Sequence, residues 1–237
     1  RYLKESDVSN TDWLSDFPGN INVLIFKLDT YKKALSKTKG VIPEFVNPKY
    51  TDDTRTKFKS PTRLECLMQD FPKLLTDGEN VGFTSYERWF CFSACKNKLQ
   101  DACNKLKNKQ TPEGAFSVEQ DIFIYNKKIL KEVLGKLDIV ENEPENEVKI
   151  EGVSIKFGPK IIVHPSFAPT VSELKEKLSK MKNKIKMTVN STLILKNDVN
   201  IVDGVDLDGY LELDKDQKNL LTVKNDKKVV YVHLKEG

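Results

Sequence analysis

Along the chain the apolar positions recur first at helical and later at strand-like spacing. Between residues 23 and 35 they fall at Val23, Leu24, Phe26, Leu28, Tyr31 and Leu35, which predicts a helix with Gly40 as its stop. Residues 1–22 read as irregular and polar, with a turn at Phe17-Pro18-Gly19. The polar stretch 41–61 carries three prolines and predicts an ordered loop. Thr62-x-x-Glu65 has the form of a capping box, and Leu64, Leu67, Met68 and Phe71 then predict a helix that Pro72 ends or kinks. Residues 81–95 are aromatic and β-branched and predict a strand. A short basic helix follows over 101–109. Ser117-x-x-Gln120 then opens a helix through Ile122, Tyr125, Ile129, Leu130, Val133 and Leu137.

Past an acidic connector at 141–147 the period shortens. Residues 148–157 alternate around Glu151-Gly152 and predict a hairpin, with a short strand at 161–164. Thr170-x-x-Glu173 caps a lysine-rich helix that turns Val171, Leu174, Leu178, Met181 and Ile185 inward. From Met187 onward short alternating strands are predicted at 191–195, 199–202, 205–207, 210–213, 220–223 and 229–234, separated by Asx- and Gly-containing turns. Such a series suggests a β-solenoid-like or small β-roll domain. The sequence therefore divides near residue 187, into 1–187 and 188–237.

Composition narrows the classes. A chain of 237 residues with 38% hydrophobic content can build a core, while 31% charge and the lack of a long apolar run argue against a membrane protein. Arg1-Tyr2-Leu3-Lys4-Glu5 opens without Met and without a signal peptide, which fits a true N-terminus lying upstream. The net charge of +4 comes from 39 basic and 35 acidic residues, and Arg occurs only at 1, 55, 63 and 88. That scarcity argues against sequence-specific nucleic-acid binding. Cys66, Cys91, Cys95 and Cys103 have no nearby histidine and no secreted disulfide pattern, so reduced thiols in a cytoplasmic protein are the simpler reading.

Candidate chemistry is sparse. Lys96, in Ser93-Ala94-Cys95-Lys96-Asn97, closes an aromatic run of Trp89, Phe90 and Phe92. An ammonium so placed suits a phosphate clamp, although a solvated lysine is the commoner outcome. Gly19-Asn20-Ile21-Asn22 carries two carboxamides that point to one side if the segment is extended, and each can donate to and accept from sugar hydroxyls. The same residues also suit a turn and a helix N-cap. Glu65 either completes its capping box or accepts hydrogen bonds from a polyol, and Gln69 lies one turn later on the same predicted face. His164 and His233 read as structural or exposed. Asp206, Asp208, Asp214 and Asp216 read as turn residues, since they lack the spacing of a calcium loop.

Taken in order, the blocks resemble one family. They are Phe17-Pro18-Gly19-Asn20-Ile21-Asn22, Glu44-Phe45-Val46-Asn47-Pro48-Lys49-Tyr50, Thr62-Arg63-Leu64-Glu65-Cys66, Gln69-Asp70-Phe71-Pro72-Lys73, Val81-Gly82-Phe83-Thr84 and Lys96-Asn97. The series is similar to the UDP-sugar pyrophosphorylases, relatives of the UDP-glucose and UDP-N-acetylglucosamine pyrophosphorylases. It is dense from residue 17 to about 125 and weaker beyond.

The resemblance implies an α/β fold: the C-terminal part of a Rossmann-like, GT-A-like nucleotidyltransferase domain, followed by a small β-helix-like domain. It implies reversible uridylyl transfer, with Mg2+, from UTP to a sugar 1-phosphate, giving UDP-sugar and pyrophosphate. By the same resemblance Lys96 contacts the phosphates, while Gly19, Asn20, Asn22, Glu65 and Gln69 belong to the sugar side. The N-acetylglucosamine enzymes have aromatic residues near the positions of Leu67 and Gln69, which argues against that sugar. No G-G-x-G-x-R pattern occurs in the chain. The chain thus looks like a C-terminal half whose partner is the N-terminal half of the same protein, and alone it should not turn over. The alternative is a non-catalytic assembly module derived from that family.

Overall fold

The computed structural model describes residues 19–76, 78–141 and 143–214, and the backbone of 221–223. It is an α/β protein with parallel sheets, divided into two compact units, 1–86 and 87–237.

In the first unit, helix α1 spans Leu28–Thr38. It starts five residues later than the apolar spacing predicts, and residues 23–27 are not helical. The C-terminal stop is a left-handed residue, but that residue is Lys39 (φ 57°), with Gly40 (φ 89°) one position beyond. Its N–H donates to the Leu35 carbonyl and satisfies one of the last carbonyls of the helix. Strands β1 (Glu44–Val46) and β2 (Leu64–Cys66) form an antiparallel two-stranded ribbon, with Val46 opposite Leu64 and Phe45 opposite Glu65.

This ribbon overturns the helix predicted from Thr62. The segment around Glu65 pairs across the ribbon, and a strand alternates its side chains instead of stacking them at i, i+4. Thr62 caps nothing, and its hydroxyl oxygen is buried without a hydrogen-bond partner. A 3-10 helix follows at Met68–Leu74 and contains Pro72. Its buried Phe71 ring packs against Phe26 and Tyr31, at centroid separations of 4.5 and 5.6 Å.

The second unit opens with a short helix α2 (Arg88–Cys91), followed by α3 (Leu99–Lys107) and α4 (Ala115–Lys128). The strand predicted over 81–95 is absent: α2 is flanked by irregular chain. Helix α4 begins three residues before the predicted box. Gly114 is the N-cap, and Ser117 at the third helical position closes the box, its hydroxyl accepting from the Gly114 N–H and donating to the Gly114 carbonyl. A π-helical turn at Ile129–Val133 ends this helix, so Leu137 belongs instead to strand β3 (Leu137–Val140).

Strands β4 (Glu147–Ile150) and β5 (Val153–Lys156) make the predicted hairpin. Its turn has positive φ at both Glu151 (48°) and Gly152 (73°), the hand that matches strand twist. After β6 (Lys160–Val163), helix α5 (Val171–Ser179) starts as the sequence predicts: Thr170 Oγ1 accepts from the Glu173 N–H and donates to its carboxylate at 2.6 Å. This helix ends at Ser179, short of the predicted Met181 and Ile185.

The remaining strands are β7 (Ile185–Thr188), β8 (Thr192–Leu195), β9 (Val205–Leu207), β10 (Tyr210–Leu213) and β11 (Leu221–Val223). From β7 the chain passes alternately between two parallel sheets, ordered β11-β9-β7-β3 and β10-β8-β6. Residue 187, where the sequence pattern changes, lies inside β7. The segment 199–202 is not a strand, and the strand predicted at 229–234 lies outside the described residues.

Alternation explains the core. Leu137, Ile185, Met187, Val205 and Leu207 from one sheet are buried, as are Ile161, Leu193, Leu195, Leu211 and Leu213 from the other. Each contributes roughly 1.5–3 kcal/mol through removal from water. Leu174 and Leu178 of α5 belong to the same core, and the buried Asn126 of α4 donates to the Ile161 carbonyl at 2.9 Å.

The turns between sheets are stitched by side chains. Ser191 is fully buried, and its hydroxyl lies within hydrogen-bonding reach of the Leu207 carbonyl (3.1 Å), the Gly209 N–H (3.0 Å) and Thr188 Oγ1 (2.7 Å). Ser191→Ala leaves the Gly209 N–H without that acceptor. We expect a loss of about 1–3 kcal/mol, read as a lower urea midpoint at unchanged slope.

Candidate functional site

The sugar-side candidates lie in the first unit. Gly19 and Asn20 are exposed and precede α1. The segment is not extended. Asn22 takes a left-handed φ of 61°, which asparagine tolerates better than most residues, and its N–H donates to Asn20 Oδ1 at 2.7 Å. Asn20 therefore closes a turn, and the two carboxamides do not sit side by side as they would on a strand. The carboxamide of Asn22 instead accepts a hydrogen bond from Gln69 Nε2, 47 residues away. Gln69 can do this because the 3-10 helix places it just past β2. Glu65 is half-buried at the middle of β2, on the opposite side of the ribbon from Leu64 and Cys66. Glu65 and Gln69 thus share no helical face, but a carboxylate and a joined pair of carboxamides remain, which suits hydroxyl recognition.

Lys96 lies in the second unit, with its side chain exposed between α2 and α3. Its position is set by the backbone. The N–H groups of Lys96 and Asn97 both donate to the Glu113 carbonyl, at 2.8 and 3.0 Å. Asn97 Nδ2 donates to the Pro112 carbonyl at 2.8 Å, and Ser93 Oγ donates to Asp121 Oδ2 at 2.7 Å. The turn at 112–113 can offer its carbonyl to both N–H groups because Glu113 is itself left-handed, at φ 51°. Helix α3 begins three residues after Lys96, and Lys98 at its N-cap makes no side-chain cap. The resulting arrangement is a rigidly based cation at the surface, suited to an anionic oxygen.

A cavity of about 160 Å3 lies beside this segment, lined by Arg88, Ala94, Glu113, Gln120 and Asp121 among others. The Arg88 guanidinium sits over the Phe92 ring, 5.1 Å from its centroid. The anchors at Glu113 and Asp121 carry no sequence signal of their own, since each acts through a partner distant along the chain. All four cysteines are unpaired. Among the described residues no three His, Cys, Asp or Glu side chains could together hold a metal ion. No step is assigned to Mg2+ on this chain's residues. Also among the described residues, no helix is long and apolar enough to cross a membrane.

These features define an α/β protein with parallel sheets, compatible with a nucleotidyltransferase-like fold, that exposes an anchored lysine and, in its first unit, a carboxylate and a hydrogen-bonded pair of carboxamides. The chain is 38% identical over 210 residues to the UDP-sugar pyrophosphorylase of Arabidopsis thaliana, covering 89% of this chain and 33% of the relative. It is 34% identical over 207 residues to the UDP-sugar pyrophosphorylases of Oryza sativa subsp. indica and subsp. japonica, covering 87% of this chain and 32% of each. By this likeness the chain is a relative of the UDP-sugar pyrophosphorylases. It spans about a third of the length of the curated relatives it matches. No protein-family model matches it.

Proposed function

We propose that the chain is the sugar-side and tail portion of a uridylyltransferase that interconverts UTP plus a sugar 1-phosphate with UDP-sugar plus pyrophosphate. The observation that carries this reading is the identity of 34–38% to proteins named UDP-sugar pyrophosphorylase, sustained over 87–89% of the chain. In this reading a sugar 1-phosphate oxygen attacks the α-phosphorus of UTP, and the bond to the pyrophosphate oxygen breaks. The transfer needs positioning and charge stabilisation more than covalent help from the protein. Lys96 supplies a positive charge to the phosphate oxygens, and its backbone bonds to Glu113 hold that charge in place. Asn22 and Gln69 orient sugar hydroxyls, with Glu65 as an acceptor and Asn20 holding the turn that presents Asn22.

The finer architecture belongs to the same proposal. Residues up to 187 are the sugar-side portion of a Rossmann-like, GT-A-like catalytic domain, and 188–237 are a β-helix-like domain. The alternation of β8 to β11 between two parallel sheets, which also take in β3, β6 and β7 from the preceding portion, supports the β-helix-like character. The remainder of the longer protein is the partner that supplies the nucleotide-binding elements.

The test is pyrophosphate release from UTP, glucose 1-phosphate and Mg2+. The 237-residue chain is co-expressed with the part of the Arabidopsis UDP-sugar pyrophosphorylase outside the matched 210 residues. Within that complex Gln69→Leu removes the donor to Asn22. We expect KM for the sugar 1-phosphate to rise by about 10-fold, the cost of about one hydrogen bond. KM for UTP should stay unchanged. An equal rise in both would assign Gln69 a merely structural role.

A further inference from the structure

Asp121 has no local reason to stand where it does. It is the seventh residue of α4, past the first turn, where a carboxylate would gain from the positive end of the helix. The positions three and four residues away hold Ser117, Val118, Ile124 and Tyr125, so no ion pair along the helix offsets the poor helix propensity of aspartate. Among the described residues Asp121 enters no salt bridge. Its carboxylate accepts instead from Ser93 Oγ, 28 residues back, at 2.7 Å.

Ser93 precedes Lys96 by three positions, in irregular chain whose side chains from Phe92 to Lys98 are mostly exposed. Before it comes α2, a single turn without a side-chain cap. The bonds from the Lys96 and Asn97 N–H groups to the Glu113 carbonyl, and from Asn97 Nδ2 to Pro112, all lie at or beyond Lys96. They fix one end of the segment and leave its direction of approach free. An anchor on the other side of Lys96 removes that freedom, and the Ser93–Asp121 bond supplies it. Helix α4 is a firm support for such an anchor. Gln120 Nε2 donates to the Lys156 carbonyl of β5 at 2.7 Å, and the buried Asn126 donates to the Ile161 carbonyl of β6 at 2.9 Å.

We infer that Asp121 is a positioning residue for Lys96: its carboxylate holds Ser93 and thereby sets the direction in which the ammonium projects. The inference deepens the proposed function and rests on it for the rate alone, since the hold on the segment is a property of this chain. The two anchors differ in kind. Any residue but proline at 96 and 97 can bond the Glu113 carbonyl through its backbone, whereas the Asp121 bond needs a hydroxyl at 93 and an acceptor at 121. An ammonium on a hinged segment spends less time aimed at a phosphate oxygen, and that preorganisation is lost without loss of folding.

The experiment reads amide hydrogen exchange at Lys96 and Asn97 by NMR in the full 237-residue chain, and kcat for pyrophosphate release in the complex with the unmatched portion of the Arabidopsis enzyme. Asp121→Ala and Ser93→Ala should each speed exchange at Lys96 and lower kcat, both by about 3- to 10-fold, the loss of one exposed hydrogen bond. The double variant should be no worse than either single one. Asp121→Asn keeps an oxygen acceptor and should restore most of both readouts. The melting temperature of Asp121→Ala should hold or rise, because alanine is the better helix former. A rate that falls while stability does not is the signature that a merely structural role would lack. Exchange that Asp121→Ala leaves unchanged overturns the inference, as does faster exchange with unchanged kcat, or a rate loss that Asp121→Asn leaves unrescued. A wild-type complex that releases no pyrophosphate, in a chain whose exchange responds as expected, fails the proposed function and leaves the hold of Asp121 on the Lys96 segment standing.

Discussion

If the chain is part of a uridylyltransferase as proposed, replacing Lys96 by Ala in the complete complex should lower kcat for uridylyl transfer by about 10²–10³-fold, the usual cost of losing one charged contact to a transition state. The expectation follows from where the side chain sits. Its side chain is exposed and forms no ion pair among the described residues, while the backbone N–H makes the structural bond to Glu113. The substitution therefore removes charge and keeps geometry. Thermal stability should move by no more than a degree or so. Lys96→Arg should recover part of the rate, because the charge returns with a different shape. A rate loss that Arg leaves wholly unrescued, together with a fall in melting temperature, would mean that Lys96 acts through folding.

The largest stability effect is expected at Gly114. A Cβ built there meets the Ala102 Cβ at 2.6 Å and Phe116 Cε1 at 3.5 Å, and both of those residues are buried. The backbone of Gly114 (φ −111°, ψ 172°) suits any residue, so the penalty is steric and not conformational. Gly114→Ala should cost about 1–3 kcal/mol by overpacking, with a further loss because Ala is a poor N-cap. At about 2–4 °C per kcal/mol for a chain of this size, the melting temperature should fall by several degrees.

Ala102→Gly alone should cost about 1 kcal/mol of helix propensity in α3. The double variant should be more stable than the sum of the two singles, because the clashing methyl is gone; strict additivity would show that the two residues do not meet. Gly114→Ala should also slow uridylyl transfer, since the Glu113 carbonyl that holds Lys96 and Asn97 is the adjacent group.

What could be read from the sequence differs sharply between the two units, for physical reasons. In the second unit local chemistry decides. Thr170 and Glu173 cap α5 by themselves, Glu151-Gly152 adopts the hairpin turn, and the alternation of Val205 to Leu213 matches buried and exposed positions directly. Most errors there are offsets. Ser117 serves the third helical position rather than the cap, and Leu137 continues the helical stripe although it is already in a strand.

In the first unit long-range contacts override local signals. Thr62-x-x-Glu65 has the letters of a capping box, but pairing of Leu64–Cys66 with Glu44–Val46 makes it a strand. Residues 81–95, which run from the first unit into the second, have the composition of a strand but only the short α2 forms. The candidate site shows the same split. The motif around Lys96 singles it out, whereas its anchor at Glu113 and the Asn22–Gln69 bond join positions with no local signature. Part of Phe17-Pro18-Gly19 lies outside the described residues.

The most direct test of the central claim is pyrophosphate release by the purified complex of this chain with the unmatched portion of the Arabidopsis UDP-sugar pyrophosphorylase, given UTP, Mg2+ and a panel of sugar 1-phosphates. The account predicts release with at least one sugar, and release that falls by 10²-fold or more when Lys96 is Ala. A complex that assembles yet releases no pyrophosphate with any sugar in the panel would contradict it.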